Sequence, residues 1–218
     1  MRADETRSSL LRTARHVFMK LGFHAARTEM LAAEARVTEG SLYHHFGSKK
    51  GLFEAVFREV LSDARNRANV KAVNAGEDTW TRILVAFESF LALIGSSQEF
   101  QRIVLIDGPV VFGWPRWRQL QSEYVATTML DTLCELMKDG TIPVLSAEAL
   151  ASILQAALND AAMTIAHADD PEQTKTDMIE AFTTLFKGLR RRERVTPADT
   201  ALAFDRGIAT ARRNTRRR

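Results

Sequence analysis

The chain has 218 residues, 45 % hydrophobic and 26 % charged, which suits a globular protein with a full core in one domain or two small ones. Its single cysteine, Cys134, excludes an internal disulfide and a cysteine-based zinc site. The net charge of +3 conceals a basic head, an acidic body and a basic tail, so only part of the chain is suited to face a polyanion: residues 1–50 carry nine Lys/Arg against five Asp/Glu, residues 51–187 eleven against nineteen, and residues 188–218 ten against three.

Helical periodicity dominates, and no alternating run argues for a strand. A first helix is expected over about residues 4–22, with Leu10, Ala14, Val17, Phe18 and Leu21 on one face and Gly22 placed to end it. "TEMLAAEA", residues 28–35, makes a short helix with Thr28 as its expected N-cap. "RV" forms a tight turn, Thr38 caps again, and residues 39–45 form a second short helix. Ser48 then opens a longer helix that turns Leu52, Phe53, Val56, Phe57 and Val60 inward. Further helices are expected at roughly 78–95, 98–107, 116–138, 146–167 and 171–191, separated by breaks rich in Gly, Pro, Asp or Asn. The tail from Thr196 reads equally as a helix opened by Pro197 or as a disordered basic arm. The first twenty residues are broken by charge where a signal peptide would be apolar, and stretches such as "RIVLIDGPVVFGWP" are too short to span a bilayer. A soluble, cytoplasmic protein with no membrane partner is therefore expected.

One longer helix followed by two short helices around a tight turn is a helix-turn-helix pattern. Leu31, Ala32, Val37 and Leu42 can interlock against Phe18 and Phe46, and Ala35 is small enough for a close helix crossing. What remains on the second short helix is Glu39, Gly40, Ser41, Tyr43, His44 and His45, a polar or amphipathic face suited to the major groove. Ser41 and the imidazoles can reach base edges, whereas Tyr43 and Lys49 suit phosphate. The adjacent His44 and His45 do not suit a metal. Helical neighbours point about 100° apart, whereas chelation needs spacings of three or four. No metal or cofactor is expected.

The stretches "LLRTARHVFMKLGF" and "MLAAEARVTEGSLYHHFGSKKGLF" resemble the tetracycline-repressor (TetR) family of bacterial regulators over about residues 8–55. The run Val-Thr-x-Gly-x-Leu-Tyr-x-His-Phe-x-x-Lys is long and position-specific. The resemblance implies an all-α protein: an N-terminal three-helix helix-turn-helix DNA-binding domain (residues 1–50), a C-terminal helical ligand-binding and dimerisation domain (51–192) and a basic tail (193–218). It places the recognition helix at residues 39–45, Tyr43 and Lys49 on phosphate, and Glu39, Gly40, Ser41 and His44 near bases. With Arg27, Thr28, Thr38 and His45 they complete the expected DNA-binding set. Two positions depart from the family pattern. Arg36 stands where a turn glycine is usual, at a cost of roughly 1 kcal/mol if its φ is positive, and Ala26-Arg27-Thr28 replaces the usual Thr/Ser pair.

The resemblance also implies a cavity for a small, largely apolar effector, for which Phe87, Phe90, Leu91, Ile103, Phe112, Trp117 and Met129 are the candidates. The aromatics of "VVFGWPRWRQL" read alternatively as plain corner packing. The alanine-rich face of residues 146–167, with Ala147, Leu150, Ala151, Leu154, Ala157, Leu158 and Ala161, needs no partner if it is core. It also matches the family's homodimer interface, as do Met178, Phe182, Leu185, Phe186 and Leu189. The expected function is a dimeric, sequence-specific transcriptional regulator, a repressor on a palindromic double-stranded DNA operator. An enzyme is the contrasting class, but Cys134 and His167 are isolated and no nucleophile–base–orienter set can be assembled. A ligand-independent architectural DNA-binding protein is the third.

Overall fold

The computed structural model describes residues 2–74, 76, 78–125 and 128–191, and among these every regular element is a helix. Within α1 (Arg2–Ala25) the first helical run ends at Gly22, in a positive-φ conformation as expected. The chain bends there, at φ 78 and ψ 170, and adds one more turn closed by Ala26 N–H donating to Gly22 O. A β-carbon at this bend would collide with the Arg102 guanidinium, so glycine serves both the bend and the approach.

Helices α2 (Thr28–Glu34) and α3 (Glu39–Phe46) flank a turn that holds Arg36 at φ 58. Arg36 N–H donates to Ala33 O at 3.1 Å and Val37 N–H to Ala32 O at 2.9 Å, the paired bonds of a Schellman ending. Thr28 lies inside α2 rather than capping it. Arg27 holds the cap position, without a side-chain bond to the helix, because the chain becomes helical one residue earlier than a Thr28 cap requires. Thr38 and Ser48 do cap their helices, accepting from Ser41 N–H and Gly51 N–H.

The long α4 (Lys49–Val73) packs against α1 and α3 and then along α5 (Thr79–Ser96), which Asp78 caps. The helix expected at 98–107 continues to residue 112. It comprises α6 (Gln98–Phe100), a π-helical stretch Gln101–Asp107 and α7 (Gly108–Phe112). The segment expected as one helix over 116–138 contains α8 (Trp114–Val125) and α9 (Thr128–Lys138). Helices α10 (Ala147–Ala166) and α11 (Pro171–Lys187) complete the body, capped by Ser146 and Asp170. The expectations for the tail beyond residue 191 lie outside the described residues.

Two apolar cores organise these helices. The first runs from Leu10, Phe18, Leu31 and Leu42 through Phe53 and Phe57 to Ile103, Phe112 and Trp117. Its aromatic spine, with Phe18 and Phe53 at 5.1 Å and Phe53 and Phe112 at 5.5 Å, joins the first three helices to the body. The second joins α5, α9, α10 and α11 around Trp80, Phe87, Phe182 and Phe186. Arg15 of α1 ties the same junction by polar means. Its guanidinium grips both oxygens of Glu99 at 2.6 and 2.7 Å and Asp63 at 2.6 Å, and these bonds raise its pKa further. Helix α10 is long and apolar enough to cross a membrane by composition, but its apolar face, including Leu154, Leu158 and Ile165, is buried in the body.

Candidate functional site

The head presents α3 outward by burying the residues between its polar positions. Leu42 is fully buried and Phe46 packs against the core, so the helix cannot rotate without exposing them. The Thr38 cap fixes its start, and Thr38 Oγ1 also lies 3.0 Å from Ser41 Oγ. Tyr43 (48 % exposed), His44 and Gly40 face outward, while Glu39, Ser41 and His45 are half-buried. The His44 and His45 rings meet edge to face at 5.3 Å. Among the described residues no three His, Cys, Asp or Glu side chains gather as a metal site. Exposed Arg27 and half-buried Thr28 open the neighbouring α2, and Thr38 is exposed at the start of α3.

Lys49 has a duty that its spacing did not reveal. Its Nζ donates to Phe23 O and Ala26 O, both at 2.9 Å, and lies 4.4 Å from the centre of the Phe23 ring. It fastens the start of α4 to the end of α1, and partial burial lowers its pKa. An ammonium has three donors, so one remains for a phosphate. The carbonyl partners lie 23 and 26 residues away, beyond any local pattern.

The body contains a cavity of about 360 Å3 between α4, α5, α8, α9 and α10. Three of the seven expected pocket residues, Phe87, Phe90 and Met129, line it. Leu91, Ile103, Phe112 and Trp117 do not: they are packed into the two cores, and Trp117 Nε1–H donates to Val104 O at 2.8 Å. Aromatic and aliphatic composition alone could not separate wall from core. The polar part of the wall was missed as well: Arg65, Asn69, Arg82, Gln121, Thr132 and Gln155. A signal for part of it was present. Gln155 shares the inward face of α10 with Ala151 and Leu158, where a polar residue needs a reason.

One contact joins the body directly to the head. The buried Asp107, at the end of the π-helical stretch, accepts from Phe23 N–H at 2.7 Å. Arg102 Nε lies 3.4 Å from the same carboxylate oxygen, an ion pair whose angle makes no hydrogen bond. A π-helical segment widens the backbone locally and often marks a functional position.

Residues 10–56 match the model described as "Bacterial regulatory proteins, tetR family", and residues 80–189 match "Tetracyclin repressor-like, C-terminal domain". A TetR-family transcriptional regulator from Pectobacterium atrosepticum superimposes with a TM-score of 0.71 at 32 % identity, over 88 % of this chain and 98 % of that one. The chain belongs to the tetracycline-repressor family. Among its relatives, the transposon Tn10 TetC protein of Escherichia coli is 24 % identical over 151 residues, 68 % of this chain and 74 % of its own length. The transcriptional repressor NicS of Pseudomonas putida is 34 % identical over 86 residues, 39 % of this chain and 41 % of NicS. This TetR-family protein is a helix-turn-helix, DNA-binding transcriptional regulator of all-α fold, with α1–α3 forming the N-terminal helix-turn-helix and the matched C-terminal region spanning α5–α11.

Proposed function

We propose that this TetR-family regulator is a cytoplasmic, homodimeric repressor that binds a palindromic operator and releases it when a small molecule fills the body cavity. The observation that carries the reading is the outward face of α3, where a rigid cap and a buried Leu42 hold Ser41, Tyr43 and His44 away from the core. Inserted in the major groove, Ser41, His44, Glu39 and Gly40 approach base edges. Arg27, Thr28, Thr38, Tyr43, His45 and the spare donor of Lys49 serve the backbone on either side. Residues 1–50 act as the reading head and 51–192 as the sensing and pairing body, with α4 belonging mechanically to both. Residues 193–218 add basic charge that favours DNA of any sequence.

A single eight-residue recognition helix reads too few bases for a unique site, which argues for two copies. Most of the alanine-rich face on α10 is spent inside the monomer, since Leu150, Ala151, Leu154, Leu158 and Ala161 are buried. The residues left for a partner are Ile153, Ala156, Ala157 and, on α11, Leu185 at 77 % exposure. The cavity favours whichever spacing of heads its ligand binds better, and the ligand can shift that balance only by its difference in affinity for the two states. The ligand is bound and released unchanged, so the protein is not an enzyme.

The roles separate in a binding experiment with the upstream DNA of the regulator's own gene. Tyr43→Phe removes one phosphate bond, about 1 kcal/mol, and should weaken specific and random duplex alike. Ser41→Ala or His44→Ala should instead cost roughly 1–3 kcal/mol on the preferred site only and relax base preference there. The opposite pattern would reverse the assignment of roles on α3.

A further inference from the structure

A buried amide N–H without a partner costs stability and calls for an acceptor. Gln121 of α8, only 2 % exposed, is in that position at the cavity wall. Its Oε1 accepts from Asn159 Nδ2 at 2.8 Å, and Asn159 Oδ1 accepts in turn from Gln155 Nε2 at 3.0 Å. This relay of buried amides orients Gln121 and leaves its Nε2 with no hydrogen-bond partner. Two guanidinium groups line the same space, Arg65 from α4 and Arg82 from α5. Arg82 uses one nitrogen on Thr79 Oγ1 at 2.9 Å, out of the five donors a guanidinium carries. No Asp or Glu is among the described residues of the wall. The remaining lining is largely apolar, with Leu61, Ile83, Phe87, Phe90, Met129 and Leu158 prominent.

From this juxtaposition we infer that the cavity takes an organic carboxylate, an apolar body carrying one anionic head that accepts from Gln121 Nε2 and is neutralised by Arg82. An amine would set donor against donor and cation against cation. A neutral amide could accept from Gln121 but would leave the Arg82 charge at the wall without a counter-charge. A carboxylate answers both needs, because its two oxygens can take the glutamine and one fork of an arginine together. The apolar walls then select the body of the molecule, within a volume at the lower end of small-molecule sites. This inference rests on the proposal that the cavity is the sensing site.

The test uses the full-length protein and two matched series, 4-phenylbutyrate and decanoate, each with its amide and its amine, titrated by calorimetry up to roughly 1 mM. At least one acid should bind about tenfold more tightly than its amide, with the amine weakest. Arg82→Gln should abolish most of that preference. Gln121→Glu keeps the acceptor for Asn159 but replaces the free donor with a carboxylate, and should turn the order toward the amine. An amide or amine binding as well as its acid, or neither acid binding at all, overturns the inference. So does an acid preference that survives both substitutions. If either variant fails to melt cooperatively, the ranking of acid, amide and amine on the unmodified protein decides. Operator binding is measured in the same samples. Acid binding that leaves the DNA bound removes the cavity's regulatory role but not its anion chemistry, whereas DNA release without acid preference does the reverse.

Discussion

At Arg36 the turn between α2 and α3 holds an arginine at φ 58, among the described residues the sole non-glycine with positive φ. It occupies the C′ position of a Schellman ending, where glycine avoids the clash of a β-carbon. Arg36→Gly should therefore raise the unfolding free energy by roughly 1 kcal/mol, seen as a higher urea midpoint at unchanged slope. A lower midpoint would mean that the exposed guanidinium stabilises the fold by more than the strain costs. Residues of this kind were legible in the sequence because their causes are local. Thr38 and Ser48 cap because the backbone three residues on needs an acceptor, and Leu42 is buried because its helix has one apolar side. The binding of Lys49 to two carbonyls of the α1 end, and the Gln121–Asn159 bond across 38 positions, depend on how distant helices pack and have no local signature.

Each helix is set by its period, but its neighbours decide which of its faces is used. The apolar face of α10 read as core or as partner surface, and packing assigns Leu154 and Leu158 to the first while leaving Ile153 outside. The aromatics of α7 and α8 read as wall or corner, and Phe112 and Trp117 proved to be corner. The π-helical stretch Gln101–Asp107 could not be read at all, since its periodicity over seven residues imitates an ordinary helix. Asp107 at its end holds the backbone of Phe23, and Lys49 ties the same end of α1 to the start of α4, so these contacts connect the stretch to the head. Asp107→Asn weakens a charge-assisted bond of about 1.5–3 kcal/mol and should lower stability by part of that amount in urea unfolding. If the proposed cavity ligand releases DNA, the substitution should also reduce that change in affinity. Full ligand response in a variant that is measurably destabilised would show that Asp107 supports the fold without transmitting the signal.

Across the whole molecule, charge and packing divide the labour. The basic first fifty residues and basic last thirty-one bracket an acidic body, so attraction to DNA is concentrated at the ends while the body is repelled from it. The shared aromatic spine from Phe18 through Phe53 to Phe112 packs head and body together, as the proposed control of DNA binding by the cavity would require. A salt titration of fluorescence anisotropy tests sequence-specific reading of DNA by α3. A duplex carrying the upstream region of the regulator's own gene is compared with a random duplex of equal length. Specific binding should be at least about 10³-fold tighter at physiological salt, saturate at an even number of chains per duplex, and persist at salt concentrations that release the random sequence. Equal affinities that fall together as salt rises would contradict it.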